Sequence, residues 1–408
     1  MRDLFSCTEA EDQPTAAMLE RPLGLYVHLP FCRTKCTYCA FVSGAPRSEG
    51  EMDAYAEALL KHLRAGSGQV QGRAVTSVFF GGGTPSLMGP QRMGPLLEAI
   101  QSHYPVAPDA EITIEANPES ATTALFERLR PLGLNRVSLG AQSFDDEELQ
   151  RLGRVHSAGE VERAIHRARQ AGIENVSIDL IFGLPGQTMT RWQNTVRRAL
   201  QCPITHLSAY ALSFEEGTLL HRQWQHGNVT AAPDETYIGM YDHLCARLQE
   251  AGWQHYEISN WCVPGYACQH NQVYWQRDDY LAFGVSAHGL IHGTRYGLIR
   301  DPREYMRQVN ELDGALHQTF LHPALLDEKT VLTSAEAASD GMIFGLRLAR
   351  GVDLAAFEAR YGIAPLEHWQ EAIEALRADG SLVYEDGCLR LAREQYLLSN
   401  NILVHFLD

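Results

Sequence analysis

The sequence is short of positive charge, of cysteine and of long apolar runs, and each shortage excludes something. Thirty-four Lys and Arg stand against fifty Asp and Glu, a formal net charge of -16. Partners gripped through phosphates need clustered basic side chains, so nucleic acid is not an expected ligand and RNA modification is disfavoured. No apolar run approaches the ~18 to 20 residues that cross a bilayer. The N-terminal string MRDLFSCTEAEDQPTAAMLERP has no basic segment leading into an apolar core, so no secretion signal is expected and the chain reads as soluble and cytoplasmic. Nine cysteines, an odd number in 408 residues, do not make a disulfide framework; they suit a reducing compartment where thiolates bind metal. Neither a GxxxxGK[ST] phosphate loop nor a Ser-His-Asp arrangement is apparent, which leaves P-loop and hydrolase chemistry without support.

What is present is an ordinary globular composition, 45% hydrophobic and 21% charged. At roughly 150 residues per domain, the length gives two to three domains. From Leu23 onward short β-branched or apolar runs alternate with amphipathic stretches. Strands are predicted at Leu25 to Leu29, Ser77 to Phe80, Glu111 to Glu115, Arg136 to Leu139, Val176 to Ile181 and His206 to Leu212. Helices such as Met52 to Leu63, Ala121 to Leu129 and Glu160 to Gln170 lie between them. Strand ends run into Gly, Pro, Asn or Ser clusters (GGGTP, EANPES, GAQSF, FGLPGQT). Six such units predict an α/β fold, a partial (β/α)6 barrel with ligand-binding loops gathered at one edge of a parallel sheet.

The expected organisation is a loose extension over residues 1–22, the barrel over 23–220, a connecting element over 221–330 packed beside the sheet, and a C-terminal module over 331–408. That last module reads helix, helix, hairpin, apolar helix, an α+β order like a winged helix, with Asp386-Gly387 at the hairpin turn. It carries about twelve acids to about six bases, so a DNA-reading role fails on electrostatics and a structural or partner-docking role is expected.

The sharpest chemical feature is YVHLPFCRTKCTYCAF, which puts Cys32, Cys36 and Cys39 in a CxxxCxxC spacing directly after the first strand. Thiolates are the ligands of iron-sulfur clusters. Structural zinc would need a fourth ligand to close its tetrahedron. A 4Fe-4S cube on three cysteines keeps one iron free of protein, open to a small ligand. Buried structural cysteines are the plainer alternative.

This segment resembles the signature of the radical S-adenosylmethionine (SAM) superfamily. The resemblance implies that the open iron chelates the amino and carboxylate groups of SAM, and that electron transfer from the cluster cleaves it to a deoxyadenosyl radical. It also implies a SAM-binding set: Tyr26 ahead of the cysteines and Tyr38 between the second and third, Gly82, Gly83 and Thr84 in GGGTP, Glu115 in EITIEANPES, Gln142 in LGAQSF, Arg154 in RLGRVH and Asp179 in SIDLIF. Taken alone, the Gly triplet is a tight turn and the polar residues are caps or surface groups.

The strings FFGGGTPSLM, ITIEANPES, RVSLGAQSFDDEELQRLGRVH, DLIFGLPGQT, YEISN and HNQVYW extend the resemblance from about Leu23 to the end, to the oxygen-independent coproporphyrinogen oxidase family. Two branches compete. The decarboxylating enzymes carry a fourth cysteine two residues after the third and a longer N-terminal segment. Here that position is Phe41, and only 31 residues precede Cys32. The heme-chaperone branch carries an HNxxYW string, present as His270, Asn271, Tyr274 and Trp275. This implies heme as cargo, His270 as ligand to its iron and the two aromatics against the macrocycle. Cys268, His288 and His292 are lesser ligand candidates. The expected partners are heme and heme-accepting proteins, membrane-associated respiratory enzymes among them; a homodimer is left open. The alternative is a radical SAM enzyme acting on a tetrapyrrole.

Overall fold

The computed structural model describes residues 21–318 and 320–407; the expected loose extension over 1–22 lies almost wholly outside them. Six β/α units follow: β1 (Leu23–Leu29), α1 (Glu49–Gly66), β2 (Val75–Gly82), α2 (Gly89–His103), β3 (Val106–Ala116), α3 (Thr123–Leu129), β4 (Arg136–Gln142), α4 (Asp146–Arg151), α5 (Ala158–Gln170), β5 (Asn175–Phe182), α6 (Met189–Gln201) and β6 (His206–Ala211). The local chemistry explains the starts of the helices. Ser48, Thr122, Asp145, Ser157 and Thr188 each sit in extended backbone and accept a hydrogen bond from a first-turn N–H, which satisfies donors that a helix leaves free.

β1 to β6 pair in parallel in sequence order. The strands alternate: Leu25, Val27, Val78, Ile114, Val137 and Ile178 bury one face of the sheet, and Ser77, Thr113, Ser138 and Ser177 are buried on the other, polar face. β6 pairs with β5 on one side and with a later strand on the other, and does not return to β1. The barrel is therefore open, as expected.

The segment between the barrel and the C-terminal module differs from expectation. It is no separate element beside the sheet. After α7 (Leu219–Gln225) and α8 (Asp234–Glu250), β7 (Gln254–Glu257) and β8 (Asn260–Cys262) extend the β6 edge. After α9 (Gln269–Trp275), β9 (Asp279–Phe283) pairs in parallel with β1 on the opposite edge, from Leu23↔Asp279 to Val27↔Phe283. β10 (His288–Ile291), β11 (Thr294–Leu298) and, after α10 (Pro302–Leu316), β12 (Leu326–Val331) continue that edge as an antiparallel meander. One 12-stranded sheet results.

The C-terminal module opens with α11 (Ser334–Gly345), started by a capping box on Thr333 and Glu336. Its three-stranded sheet includes a hairpin of Leu382–Glu385 and Cys388–Leu391. Asp386 and Gly387 turn it with φ of 51° and 78°, the left-handed pair that a primed two-residue turn requires. The module is stapled to α9: Arg360 donates to the carbonyls of Gln276 and Arg277, and the Arg347 guanidinium lies 4.7 Å over the Trp275 ring.

Burial leaves several histidines neutral. Burial pushes His62 and His270 down to about 3, and His28 and His255 to about 4. A base whose folded value lies below its unfolded value favours folding in its neutral form. That stability is complete above about pH 6.5 and is lost as pH falls from 6.5 toward 4, at up to roughly 1.4 kcal/mol per histidine for each pH unit. Glu115, raised to about 7 by burial and by Asp179, and Glu148, Asp179, Glu257 and Asp278, also raised by burial, act in the opposite sense, while burial lowers His206, His243 and His292 as well. The melting temperature of the apoprotein is accordingly expected to drop steadily from pH 7 to 5; a flat profile would contradict this.

Candidate functional site

The cysteine loop leaves β1 and is pinned from outside. Cys32 N–H donates to the Gly44 carbonyl at 2.9 Å and Thr37 N–H to the Leu152 carbonyl at 3.1 Å. Cys32, Cys36 and Cys39, all half-buried and unpaired, line one cavity of about 540 Å³. Two of the thiols are joined by a chain of side-chain hydrogen bonds. The Thr84 hydroxyl donates to Cys32 Sγ at 3.4 Å, Asn117 Nδ2 donates to that hydroxyl at 3.1 Å, and Arg154 donates to Asn117 Oδ1 at 2.5 Å and to Cys36 Sγ at 3.3 Å. Burial works against the Arg154 charge, but Tyr38 and Cys36 outweigh it and hold the guanidinium protonated.

The glycines are required by closeness. Gly82 has φ of 112°, and a Cβ on Gly83 would lie 2.8 Å from the Phe31 carbonyl oxygen and 2.9 Å from that of Leu29. Gly83 N–H donates to Leu29 and Thr84 N–H to Phe31, so this turn is welded to the strand that delivers the cysteines. Across the cavity, Glu115 accepts from Gly82 N–H at 3.1 Å and Asp179 from the Ser138 hydroxyl at 3.2 Å. Burial raises both carboxyls. They have room for a further cation or hydroxyl donor.

Tyr38, Gly82, Gly83, Thr84, Glu115, Gln142, Arg154 and Asp179 therefore surround the cavity that the three thiols face. Tyr26 does not. It lies on the same sheet face as Glu115 and beside Gly81, but its hydroxyl turns to His28 Nδ1 at 3.1 Å and the ring lines a second cavity of about 550 Å³. Asn117 escapes the sequence reading, though it lies two residues beyond Glu115 in the EANPES string.

His270 departs most from expectation. It lines neither cavity and is 1% exposed. Its Nδ1 pairs with the Ser77 hydroxyl at 2.9 Å, its Nε2 with the Tyr274 hydroxyl at 2.8 Å, and its ring stacks on Phe79 at 5.1 Å. Both nitrogens that could take iron are spent inside the core, so the arrangement does not offer His270 as a ligand. Through Nε2 it touches Tyr274, which with Trp275 lines the second cavity. Asn271 donates to the Tyr256 hydroxyl at 3.4 Å and also lines neither cavity. Cys268 is buried, its thiol on Glu111, and His292 lies near Asp279 at 3.9 Å.

Among the described residues, no three His, Cys, Asp or Glu converge on a single metal ion. A four-iron cube does not ask for that, because each thiolate binds a different iron. Three unpaired thiols on one cavity wall, beside a fixed cation, fit such a cube and do not fit closed tetrahedral zinc.

Residues 26–199 match the model of the radical SAM superfamily, and residues 332–398 that of the HemN C-terminal domain. The fold and the thiol cavity thus define a radical SAM protein, a class that implies a 4Fe-4S cluster and SAM. Heme chaperone HemW of Mycobacterium tuberculosis is 37% identical over 95% of this chain and 95% of its own, and that of Bacillus subtilis 30% over 94% and 98%. The chain belongs to this heme chaperone HemW family. Coproporphyrinogen III oxidase (HemN) from Escherichia coli superposes with a TM-score of 0.81 over 97% of this chain and 94% of the other, at 24% identity; that likeness concerns architecture. No helix among the described residues is long and apolar enough to cross a membrane.

Proposed function

We propose that this chain binds heme and passes it to acceptor proteins, on a scaffold that carries a 4Fe-4S cluster and SAM. The observation that carries the reading is 37% identity over 95% of each chain to a protein named heme chaperone HemW. Cys32, Cys36 and Cys39 hold the cluster, which when bound supplies an electron to SAM. Gly82, Gly83 and Thr84 offer backbone groups to the methionine end of SAM. Glu115 and Asp179 take ammonium or hydroxyl donors, and Tyr38, Gln142 and Arg154 complete the wall. Residues 23–220 form the SAM-binding part, 221–330 build the far cavity wall, and 331–408 close it.

The hydrogen-bonded chain through Asn117 predicts a role that its distance from iron hides. Asn117→Ala is expected to weaken cluster retention roughly tenfold, as loss of an outer-shell partner does, read as iron and acid-labile sulfide per chain after gel filtration. Unchanged content would remove Asn117 from the site.

The function itself is tested anaerobically with the reconstituted full chain. Heme should bind and move to an apo-cytochrome on mixing, and coproporphyrinogen III with SAM and reductant should give no vinyl product. Absence of heme binding refutes the reading; turnover to vinyl product makes the chain a decarboxylase.

A further inference from the structure

The second cavity has a composition that the rest of this acidic chain lacks. Three guanidinium groups, Arg277, Arg295 and Arg300, line it with a single carboxylate, Asp340, among the aromatic rings of Tyr26, Phe41, Tyr274, Trp275, Tyr280 and Phe344. Arg277 and Arg295 both pair with Asp340, and Arg300 pairs through Nε with Asp327, outside the lining, at 3.0 Å. Arg277 is buried, its side chain 8% exposed, and one of its terminal nitrogens is buried without a hydrogen-bond partner. Arg295 and Arg300, 43% and 64% exposed, put guanidinium groups beside an aromatic chamber, which suits an anion attached to a flat apolar body.

Two histidines line the chamber. His28 has both ring nitrogens engaged, by the Tyr26 hydroxyl and the Val42 carbonyl. His288 is different. The register aligns it with Gly297 on β11, and Gly297 with Glu328 on β12. Because Gly297 has no side chain, Glu328 reaches across the middle strand to His288 Nδ1 at 3.2 Å. A Cβ at Gly297 would lie 2.9 Å from His288 Cε1 and 3.0 Å from Glu328 Cγ. A carboxylate on Nδ1 fixes an imidazole ligand and directs Nε2 outward. That Nε2 makes no hydrogen bond among the described residues, and the ring is 48% exposed. A surface His-Glu pair alone would mean little. Here it stands at the mouth of a cavity whose volume suits a ligand of this size.

We infer that heme is held in this second cavity, with His288 Nε2 as ligand to its iron, Glu328 orienting that imidazole and Arg277, Arg295 and Arg300 receiving the propionates. This rests on the heme-binding reading above and assigns its site away from His270. The macrocycle lies against Trp275, Tyr274 and Phe344, with His270 buried behind Tyr274 as support.

The test is an anaerobic titration of the full reconstituted chain with ferric heme, iron-free protoporphyrin IX and heme dimethyl ester. His288→Ala is expected to weaken heme at least tenfold and change the Soret spectrum, to leave protoporphyrin affinity unchanged, and to regain the wild-type spectrum on addition of imidazole. Arg295→Gln with Arg300→Gln should weaken heme and protoporphyrin alike, roughly tenfold, and leave the dimethyl ester unaffected. An unaltered spectrum in His288→Ala, with the wild type binding heme, overturns the site and spares the chaperone reading. A wild type that binds none of the three overturns both. Protoporphyrin binding that His288→Ala also abolishes would mean a packing role for His288 and sink its assignment to iron.

Discussion

Cys36→Ala is expected to abolish cluster retention while the chain stays folded. Three thiols are the whole protein ligand set offered at the cavity, and a cube left with two loses an anchor that no neighbour replaces. The other described thiols, Cys202, Cys245, Cys262, Cys268 and Cys388, do not line that cavity. Cys36 sits in a half-buried loop with its Sγ on Arg154, and Arg154 keeps the Gly140 carbonyl at 2.7 Å and Asn117 after the change. The variant should therefore melt within a few degrees of the apo wild type, hold no iron or sulfide, and still bind heme at one per chain. Iron retained at the wild-type level would show that the loop is not the cluster site.

Arg136→Met is expected to cost about 3–5 kcal/mol, because it strands a buried charge. Arg136 is 2% exposed and its Nε lies 3.8 Å from Glu111, itself 5% exposed. Burial opposes its charge, and Cys268 and Glu111 more than offset that cost. Glu111 accepts from the backbone N–H of His270 and from the Cys268 thiol, so its carboxylate anchors the start of α9. Replacing both partners, Arg136→Met with Glu111→Leu, removes the unpaired charge and should recover more than half of the loss. Urea melts of the two single variants and the double variant decide it. A single variant within about 1 kcal/mol of wild type would mean that the pair is solvated.

Much of this architecture is legible in the amino-acid sequence. The strands announce themselves as short β-branched or apolar segments, and the cysteine spacing and the glycine turn sit where β/α loops must. Direction and long-range pairing are not legible there. The string HNQVYW names its residues but not which way His270 points, and only the contacts with Ser77 and Phe79, some 190 residues away in sequence, turn it inward. β9 reads as a short strand of no particular partner; its pairing with β1 brings residues 279–283 to residues 23–27 and so creates the second cavity. His288 carries little signal by itself because its meaning depends on Gly297 and Glu328, which only the register brings into line.

Ala40 and Phe41 line both cavities. The two residues after the last cysteine are thus a shared wall, and Phe41 is 68% exposed. A wall common to two chambers is one element that occupants of both can touch. If loading the cluster changes the hold on heme by some factor, heme must change the hold on the cluster by the same factor. A chaperone needs such an exchange, since cargo gripped tightly during capture has to be let go at delivery.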